Sequence, residues 1–503
     1  MTKTSLKKNK NEIDESMIEK EAYELLKSFS YVRDYNHPDE FYVKFPCDFA
    51  LGAKIIQSEC VDNTKSKDFK AFVNMSLRET LEIDDIPSLY KVYNRIYDEI
   101  RYNGTYETIY NRIAGTADEI IYFLADQTNR CISITADKVK SIRQSNYFFY
   151  KKKNMLPQDF PKKTSKSLYE LLRPYINLDE NNYKLFLVYL CHLFIYDTSH
   201  MICIINSTHG SGKSTLTKLI RRLVDPALSE NALIPSSKDE LINHCANNYI
   251  VCFDNTRPLN TYESDTLCAA VTGSVLPKRT LYTTCAEDTL FLKNIIILNG
   301  IDIIPKHADF TERSLMFELQ PIKEQDRITE TEFWNNFNSD KPEILYAIFQ
   351  TLKKMLNIKK TLDLNGKSHR MHDAFTYMCS IAVALGMDLA EFQEIFFNNT
   401  NTLQKLSSGN DEFVNAVASY VDSLPGHKIT NTTTYIYNQV RSRDNLDKFP
   451  ASASAFSRKL NENLDVIEKL GFDVITESKK DATYLTLKKK PKKTVWKNKK
   501  NIL

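Results

Sequence analysis

Among the ten cysteines of this 503-residue chain there is no CxxC pair, so spacing gives no support to a zinc site or a disulfide framework. Several cysteines lie inside apolar runs, Cys203 and Cys252 among them, and are expected as buried free thiols. No apolar run approaches the roughly 20 residues that span a bilayer. The N-terminus, MTKTSLKKNKNEIDE, is basic but has no apolar stretch behind it, so it does not read as a secretory signal. No membrane anchor is expected, and the chain reads as cytoplasmic. Charge of one sign is also scarce: the net charge of +3 does not by itself argue for nucleic acid.

The distribution of charge says more than its sum. From Lys488 to Lys500 the sequence KKKPKKTVWKNKK holds no acidic residue. That composition suits contact with phosphate or an anionic surface, and equally a solubilising tail. The hydrophobic share of 42% with 26% charged residues is that of soluble globular chains, and the length implies two to four domains.

Periodicity divides the chain. Residues 1–110 read as a mainly helical N-terminal region with a disordered start, with helical spacing over 75–101. Residues 111–165 read as a small β-rich segment ending in a proline- and lysine-bearing linker over 151–167. From 166 to 400 helices alternate with apolar strands at 202–205, 249–253 and 295–298, the pattern of a parallel sheet, and helices at 343–356, 371–385 and 389–397 follow. Residues 401–490 give three helices, the last over 452–470, and then a β-hairpin, the order of a winged helix. Residues 491–503 are the basic tail.

The chemistry concentrates after the first of those strands. Ser207–Ser214 reads STHGSGKS between an apolar strand and an amphipathic helix, which is the context a phosphate-binding loop requires. Glycines let backbone N–H groups turn inward, a lysine reaches the terminal phosphates, and a hydroxyl holds magnesium. Thr208, His209, Gly210, Ser211, Gly212, Lys213, Ser214 and Thr215 are therefore expected to bind ATP. Ser207 stands where the consensus has glycine. Forty residues on, NNYIVCFDN ends a strand at Asp254, which with Ser214 is expected to hold Mg2+. The next position, often Glu in such ATPases, is Asn255, an amide that can orient water but cannot take its proton, so either another acid serves, with Glu263 one candidate, or the reaction relies mainly on positioning. In KNIIILNG, Asn299 sits where a polar side chain lines up water, or forms an ordinary turn. Arg313 in DFTERSLMFEL reads either as an arginine supplied to a neighbouring subunit's nucleotide or as a surface ion pair.

The order STHGSGKS, YIVCFDN, VTGSVLPKRTLYT, IIILNGI, DFTERSLMFEL and HRMHDAF resembles the Rep-type replication initiator helicases of staphylococcal pathogenicity islands and the related cassette-chromosome helicases, an AAA+ group similar to MCM. The resemblance spans about 110–490 and is most specific over 202–319. It implies a multidomain α/β chain: a P-loop AAA+ ATPase core with a helical lid, a mixed N-terminal region and a C-terminal winged helix. It also implies that Lys213 and Ser214 are Walker A, Asp254 is Walker B, Asn299 is sensor 1, Arg313 is the arginine finger and Arg370 is sensor 2. Lys278 and Arg279 would lie on a hairpin gripping single-stranded backbone, where the residues alone also permit a solvated basic turn. On the third C-terminal helix Ser457, Arg458 and Lys459 are expected to meet DNA. The expectation is a hexameric, ring-forming, ATP-dependent DNA helicase and replication initiator of a mobile element, acting on single-stranded and origin duplex DNA. The alternatives are an origin-binding or DNA-remodelling ATPase without strand separation, or a non-enzymatic binder with ATP as assembly ligand.

Overall fold

The computed structural model describes residues 15–37, 40–44, 60–64, 67–83, 85–143, 145–207, 211–279, 287–300, 308–322, 324–409, 412–443, 449–469, 471–478 and 483–490. The polar start, the lysine-rich tail and Thr208, His209 and Gly210 lie outside them. The chain forms a mixed α/β protein of two compact units, one of residues 1–303 with 316–396 and one of 304–315 with 397–503.

The first unit begins with helix α1 (Glu15–Ser28), whose buried Ile18, Ala22 and Leu26 repeat every fourth residue. Strands β1 (Ser30–Asp34), β2 (Phe41–Lys44) and β3 (Cys60–Asn63) follow, then helices α2 (Lys67–Leu81) and α3 (Tyr90–Asn103) and strands β4 (Thr105–Glu107) and β5 (Ile109–Tyr110). The helical spacing over 75–101 thus belongs to two helices, broken where Glu82 takes φ 55° and Pro87 offers no N–H. Four strands, β6 (Ile113–Gly115), β7 (Glu119–Phe123), β8 (Cys131–Thr135) and β9 (Val139–Ile142), form an antiparallel meander. Strand β10 (Phe148–Tyr150) returns to the first sheet, whose order is β4-β1-β2-β3-β10-β5. One face of that sheet, through Phe41 and Val43, packs on Phe69, Val73, Val92 and Ile96 of the helices. The alternate residues Val32 and Tyr42 turn to the opposite face.

The stretch 151–167 was expected to be a linker and is instead pinned to its surroundings. Leu156 N–H donates to the Pro226 carbonyl and Lys162 N–H to that of Pro342, each at 2.9 Å. Helix α4 (Leu168–Leu172) starts at a capping box between Ser167 and Glu170, and α5 (Glu180–His192) is capped by Asp179. Then come β11 (Ile202–Asn206), α6 (Lys213–Val224), α7 (Lys238–Asn247), β12 (Ile250–Phe253), α8 (Thr261–Thr272), the hairpin β13 (Ser274–Arg279) and β14 (Glu287–Leu292), β15 (Ile295–Gly300), α9 (Ala308–Thr311) and β16 (Ser314–Glu318). The sheet order is β12-β15-β11-β16, with β15 parallel to both β12 and β11. Burial on both faces explains their continuous Ile, Val, Cys and Leu runs. Helices α10 (Glu330–Ile358), α11 (His372–Ala384) and α12 (Leu389–Gly409) follow. Helix α10 begins thirteen residues before the expected start at 343 and runs through Pro342.

The C-terminal end of α6 is tied to the meander. Arg112, fully buried, donates to Asp225 Oδ1 at 3.0 Å and to the carbonyls of Leu156 and Pro226 at 2.8 and 3.1 Å. Tyr122 Oη donates to the Val224 carbonyl at 3.0 Å, and Gln158 Nε2 to those of Arg222 and Leu223 at 3.1 and 2.8 Å. Arg221 closes on the other Asp225 oxygen at 3.2 Å. The terminal carbonyls that a helix leaves unpaired are therefore capped, and a buried cation sits at the negative end of the dipole.

In the second unit helix α13 (Glu412–Asp422) and strand β17 (Lys428–Thr432) precede helices α14 (Thr433–Arg443), α15 (Ala453–Glu462) and α16 (Leu464–Lys469) and the antiparallel strands β18 (Phe472–Ser478) and β19 (Thr483–Lys489). The sheet order is β17-β19-β18. Val417, Ile436, Val440, Phe456, Leu460 and Leu487 centre its core. The single helix expected over 452–470 is two, parted at Asn463, which leaves the helical region and returns its amide to the Lys459 carbonyl at 2.8 Å. No helix among the described residues is long and apolar enough to cross a membrane, and none of their His, Cys, Asp and Glu side chains group as a metal cluster.

Candidate nucleotide site

Strand β11 delivers the chain to Ser207, and α6 starts six residues later at Lys213. Gly212 caps the helix with φ 85°, the left-handed region that glycine reaches without strain. A side chain there would meet only Ile322, at 3.7 Å, so the requirement is conformational rather than steric. Ser207, in the place of the consensus glycine, is buried and shares a hydroxyl contact with Ser211. Lys213 Nζ donates to the Ser207 carbonyl at 2.9 Å and to Ser207 Oγ at 3.3 Å, so the ammonium folds back over the loop. Partial burial lowers its pKa, and the Asp254 carboxylate opposes that shift.

Around this helix start four elements are bonded together. Ser214 Oγ donates to Asp254 Oδ1 at 3.1 Å, joining α6 to the end of β12. Asn231 Nδ2 donates to Asp254 Oδ2 at 3.2 Å from a segment that also borders the sheet, where Ala232 N–H meets the Cys252 carbonyl. Asn255 turns with φ 50°, and its N–H points at both Asp254 Oδ1, 2.9 Å, and Asn299 Oδ1, 3.3 Å. Asn299, buried at the end of β15, donates through Nδ2 to Thr217 Oγ1 at 2.8 Å, and Thr217 donates to the Lys213 carbonyl at 3.1 Å. Lys213, Ser214, Asp254, Asn255 and Asn299 are thus brought together, with Asn255 joined through its backbone while its side chain is exposed.

Two members were missed in the sequence. Thr217 lies one turn after Lys213, a helical spacing that could have flagged it; Asn231 sits in an irregular segment with no signal. Glu263 is corrected outright. Its carboxylate caps α8 by accepting from Asn260 N–H at 2.9 Å and is held by Arg257 at 2.7 and 3.2 Å, so it is occupied in its own helix start.

A fit to a hydrated divalent cation can be tested on the donors present. Asp254 and Ser214 supply hard oxygens on one side of the helix start. The Asn231 side-chain oxygen Oδ1 beside them is buried and has no hydrogen-bond partner, which suits a water of hydration. Next to Ser211, Gly212 and Thr215 opens a cleft of about 770 Å3 that is also lined by Tyr175, Ile176, Ile322, Ile328 and Phe333 and by the charged Arg173, Lys218, Arg327 and Glu330. A mixed cleft of that size beside a helix N-terminus has room for a nucleoside phosphate.

The remaining candidates are dispersed. Lys278 and Arg279 stand at the far end of the β13–β14 hairpin, in register with Asp288 and Glu287, and the connecting residues 280–286 lie outside the described ones. Arg313, in the second compact unit, is only 14% exposed; it donates to the Asp309 carbonyl at 2.9 Å and pairs with the Asp309 carboxylate. Arg370 is exposed in the turn before α11. On α15 Arg458 is exposed and Ser457 half-buried, while the Lys459 ammonium lies 4.8 Å over the Phe413 ring.

Residues 182–393 match a family model described as the actinomycete integrative conjugative element replication protein. The match is to a replication protein of a mobile element, as the sequence resemblance implied, but of actinomycete rather than staphylococcal type. No curated protein matches the chain. Similar solved structures include the A form apo structure of the NrS-1 C-terminal region, 11% identical over 93% of this chain and 99% of that one, with a TM-score of 0.42. A second A form apo structure of that region, residues 305–718, is 12% identical over 95% of this chain and 100% of that one, with a TM-score of 0.41.

Proposed function

We propose that the chain is a replication initiator of a mobile genetic element whose P-loop AAA+ core hydrolyses ATP to drive DNA unwinding in the cytoplasm. The observation that carries this reading is the closed set of bonds linking Lys213, Ser214, Asp254, Asn299 and Thr217 around the start of α6. In it the α6 N-terminus and Lys213 receive the terminal phosphates, Ser214 and Asp254 hold Mg2+, and Asn299 with the Asn255 backbone orients the attacking water. The chemistry Mg2+ supplies when bound is neutralisation of charge on the terminal phosphates. The cleft beside Thr215 takes the nucleoside. Arg313 of an adjacent copy in a hexameric ring steadies the charge that develops on transfer, leaving its Asp309 partner to do so, and Arg370 approaches as sensor 2.

DNA is then gripped as single strand by the β13–β14 hairpin through Lys278 and Arg279, and as origin duplex by the second unit, a winged helix whose α15 presents Ser457, Arg458 and Lys459. Strand displacement on forked and origin-containing duplexes, run beside an oligomer measurement, tests this. ATP-dependent displacement by a hexamer is expected, and its absence in an active ATPase rejects the helicase. The second reading, a DNA-remodelling ATPase that does not separate strands, is favoured by one observation: the sequences of the paired strands, SVLPKR and EDTLFL, hold as many acids as bases, so the two strands carry no net charge to attract phosphate.

A further inference from the structure

A second cavity, of about 520 Å3, shares no lining residue with the cleft beside the phosphate loop. Helices α1, α2 and α3 cover one face of the N-terminal sheet. The opposite face lines this cavity through Tyr42, Ile109 and Tyr150, with Asp34 at the end of β1. Asn243 and Ala246 of α7, Tyr249 and the end of β14 line it from elsewhere in the same compact unit, and Asn111 and Lys152 also border it.

Its polar groups are only partly used. Lys152 Nζ donates to the Ala246 carbonyl at 3.0 Å and Lys293 Nζ to that of Tyr196 at 2.7 Å, which leaves each ammonium with protons to give. No carboxylate of the described residues is ion-paired with either lysine. Burial lowers both lysine pKa values; Glu40, Asp225 and Asp34 oppose the shift at Lys152 and Asp197 opposes it at Lys293. The two acids that line the cavity have partners of their own: Asp34 accepts from Asn36 N–H at 3.0 Å, and Glu40 accepts from Tyr42 Oη. By contrast, the side-chain amides of Asn36, Asn111 and Asn243 have no hydrogen-bond partner among the described residues. Tyr249 Oη and Asn294 Oδ1, on two further lining residues, are buried and equally unpartnered. Unmet buried polar atoms are rare in folded proteins and call for a ligand or water.

An amide sets a donor beside an acceptor, which matches the edge of a nucleobase, and an ammonium with free protons suits a phosphate. An inorganic anion alone would leave the amides and the sheet-side wall of Tyr42, Ile109 and Tyr150 unused. We infer that this cavity is a second nucleotide site, which holds one nucleotide with its base edge on the free asparagine amides and its phosphate at Lys152. Asn243 and Ala246 lie within one turn of α7, so the carbonyl that anchors Lys152 keeps the ammonium close to the Asn243 amide. A free nucleotide and one nucleotide of a DNA strand share this chemistry, and a cavity of this size takes either. The inference rests on neither ATP turnover nor strand separation.

The test uses the full chain with two kinds of probe: the four deoxynucleoside monophosphates in equilibrium dialysis, and a fluorescein-labelled single strand of mixed sequence in anisotropy. Lys152→Met is expected to weaken binding by roughly tenfold, the scale of losing a hydrogen bond to a charged group. Asn243→Ala, a small change at a half-buried side chain, is expected to weaken it by roughly fivefold and covers the case in which Lys152→Met does not fold. Lys213→Ala should bind as wild type, so failure of the ATPase reading leaves this result intact. The pattern with a monophosphate identifies a free nucleotide as the ligand; the pattern with the strand alone identifies a nucleotide of DNA. Three results overturn the inference: no probe bound, affinity unchanged in both variants with thermal melts showing them folded, or affinity lost in Lys213→Ala alone. Inorganic phosphate that competes as well as the nucleotide also overturns it, since the base would then contribute nothing.

Discussion

Ser214 gives its hydroxyl hydrogen to Asp254 Oδ1 across 3.1 Å, so the first turn of α6 and the end of β12 are joined before any phosphate arrives. On the proposed reading, ligand binding would exchange that bond for a cation between the two oxygens. Ser214→Ala removes one of the pair and is expected to lower ATP turnover by about 100-fold, the scale of losing one group that stabilises developing charge. Steady-state phosphate release over a Mg2+ titration reads it; a variant that reached wild-type rate merely at higher Mg2+ would still place Ser214 at the cation, whereas full activity throughout would remove it.

Asn299→Ala separates the two sides of the network. It removes the donor to Thr217 Oγ1 and one of the two acceptors of Asn255 N–H, while Thr217 keeps the Lys213 carbonyl and Asn255 keeps Asp254, so a stability loss of about 0.5–1.5 kcal/mol per bond is expected in urea melts. Turnover should fall while the KM for ATP changes little if, as proposed, Asn299 orients the attacking water and does not hold the nucleotide. A KM rise at constant kcat would reassign it to binding.

Glu263→Gln should keep its ATPase rate. The carboxylate caps α8 and pairs with Arg257, so the expected effect is a lower melting temperature alone. Loss of turnover in a folded variant would return Glu263 to the list of proton acceptors.

How much of this was legible in sequence follows from the range of each interaction. The strand before Ser207 and the helix from Lys213 to Val224 announce themselves because a doubly buried strand must be apolar throughout and an amphipathic helix must repeat. Asp254 and Asn299 were visible as polar residues ending such strands. The sheet of the N-terminal region was not, since its strands are two to five residues long and pair out of sequence order. Arg112 and Asp225 lie 113 residues apart, a separation no local pattern reports. Asn231 reaches Asp254 from a segment with no periodicity at all.

Acid should unfold this chain through two buried histidines. Desolvation holds His192 well below its usual pKa of 6.5 and His200 down to about 3. Both are neutral in the folded chain, so as pH falls below about 6.5 the unfolded chain takes up protons first. Stability present above that pH is then lost by about 1.4 kcal/mol per unit for each histidine. Melting temperatures from pH 8 to pH 5 should show a slope that His200→Asn reduces; an unchanged slope would place the acid sensitivity elsewhere.

Arg112→Met leaves Asp225 facing Arg221 alone and strips several carbonyls of their donor. A loss of about 3–5 kcal/mol is expected in denaturant melts, and Arg112→Lys should not rescue it, because one ammonium cannot reach all five acceptors.

That clamp also fixes where the gene can be cut. A fragment beginning near Ser167, chosen as the smallest unit containing the phosphate loop, would lose Arg112, Tyr122 and Gln158 together and leave the tail of α6 as an uncapped stub. The helix whose head is proposed to meet phosphate would then be loose at its foot. For recombination between related genes this makes 111–225 a single inheritance block: a crossover inside it would pair a meander with an α6 it was not shaped to hold, whereas one beyond Phe397 would leave that foundation whole while separating 397–503 from the 304–315 segment of the same unit.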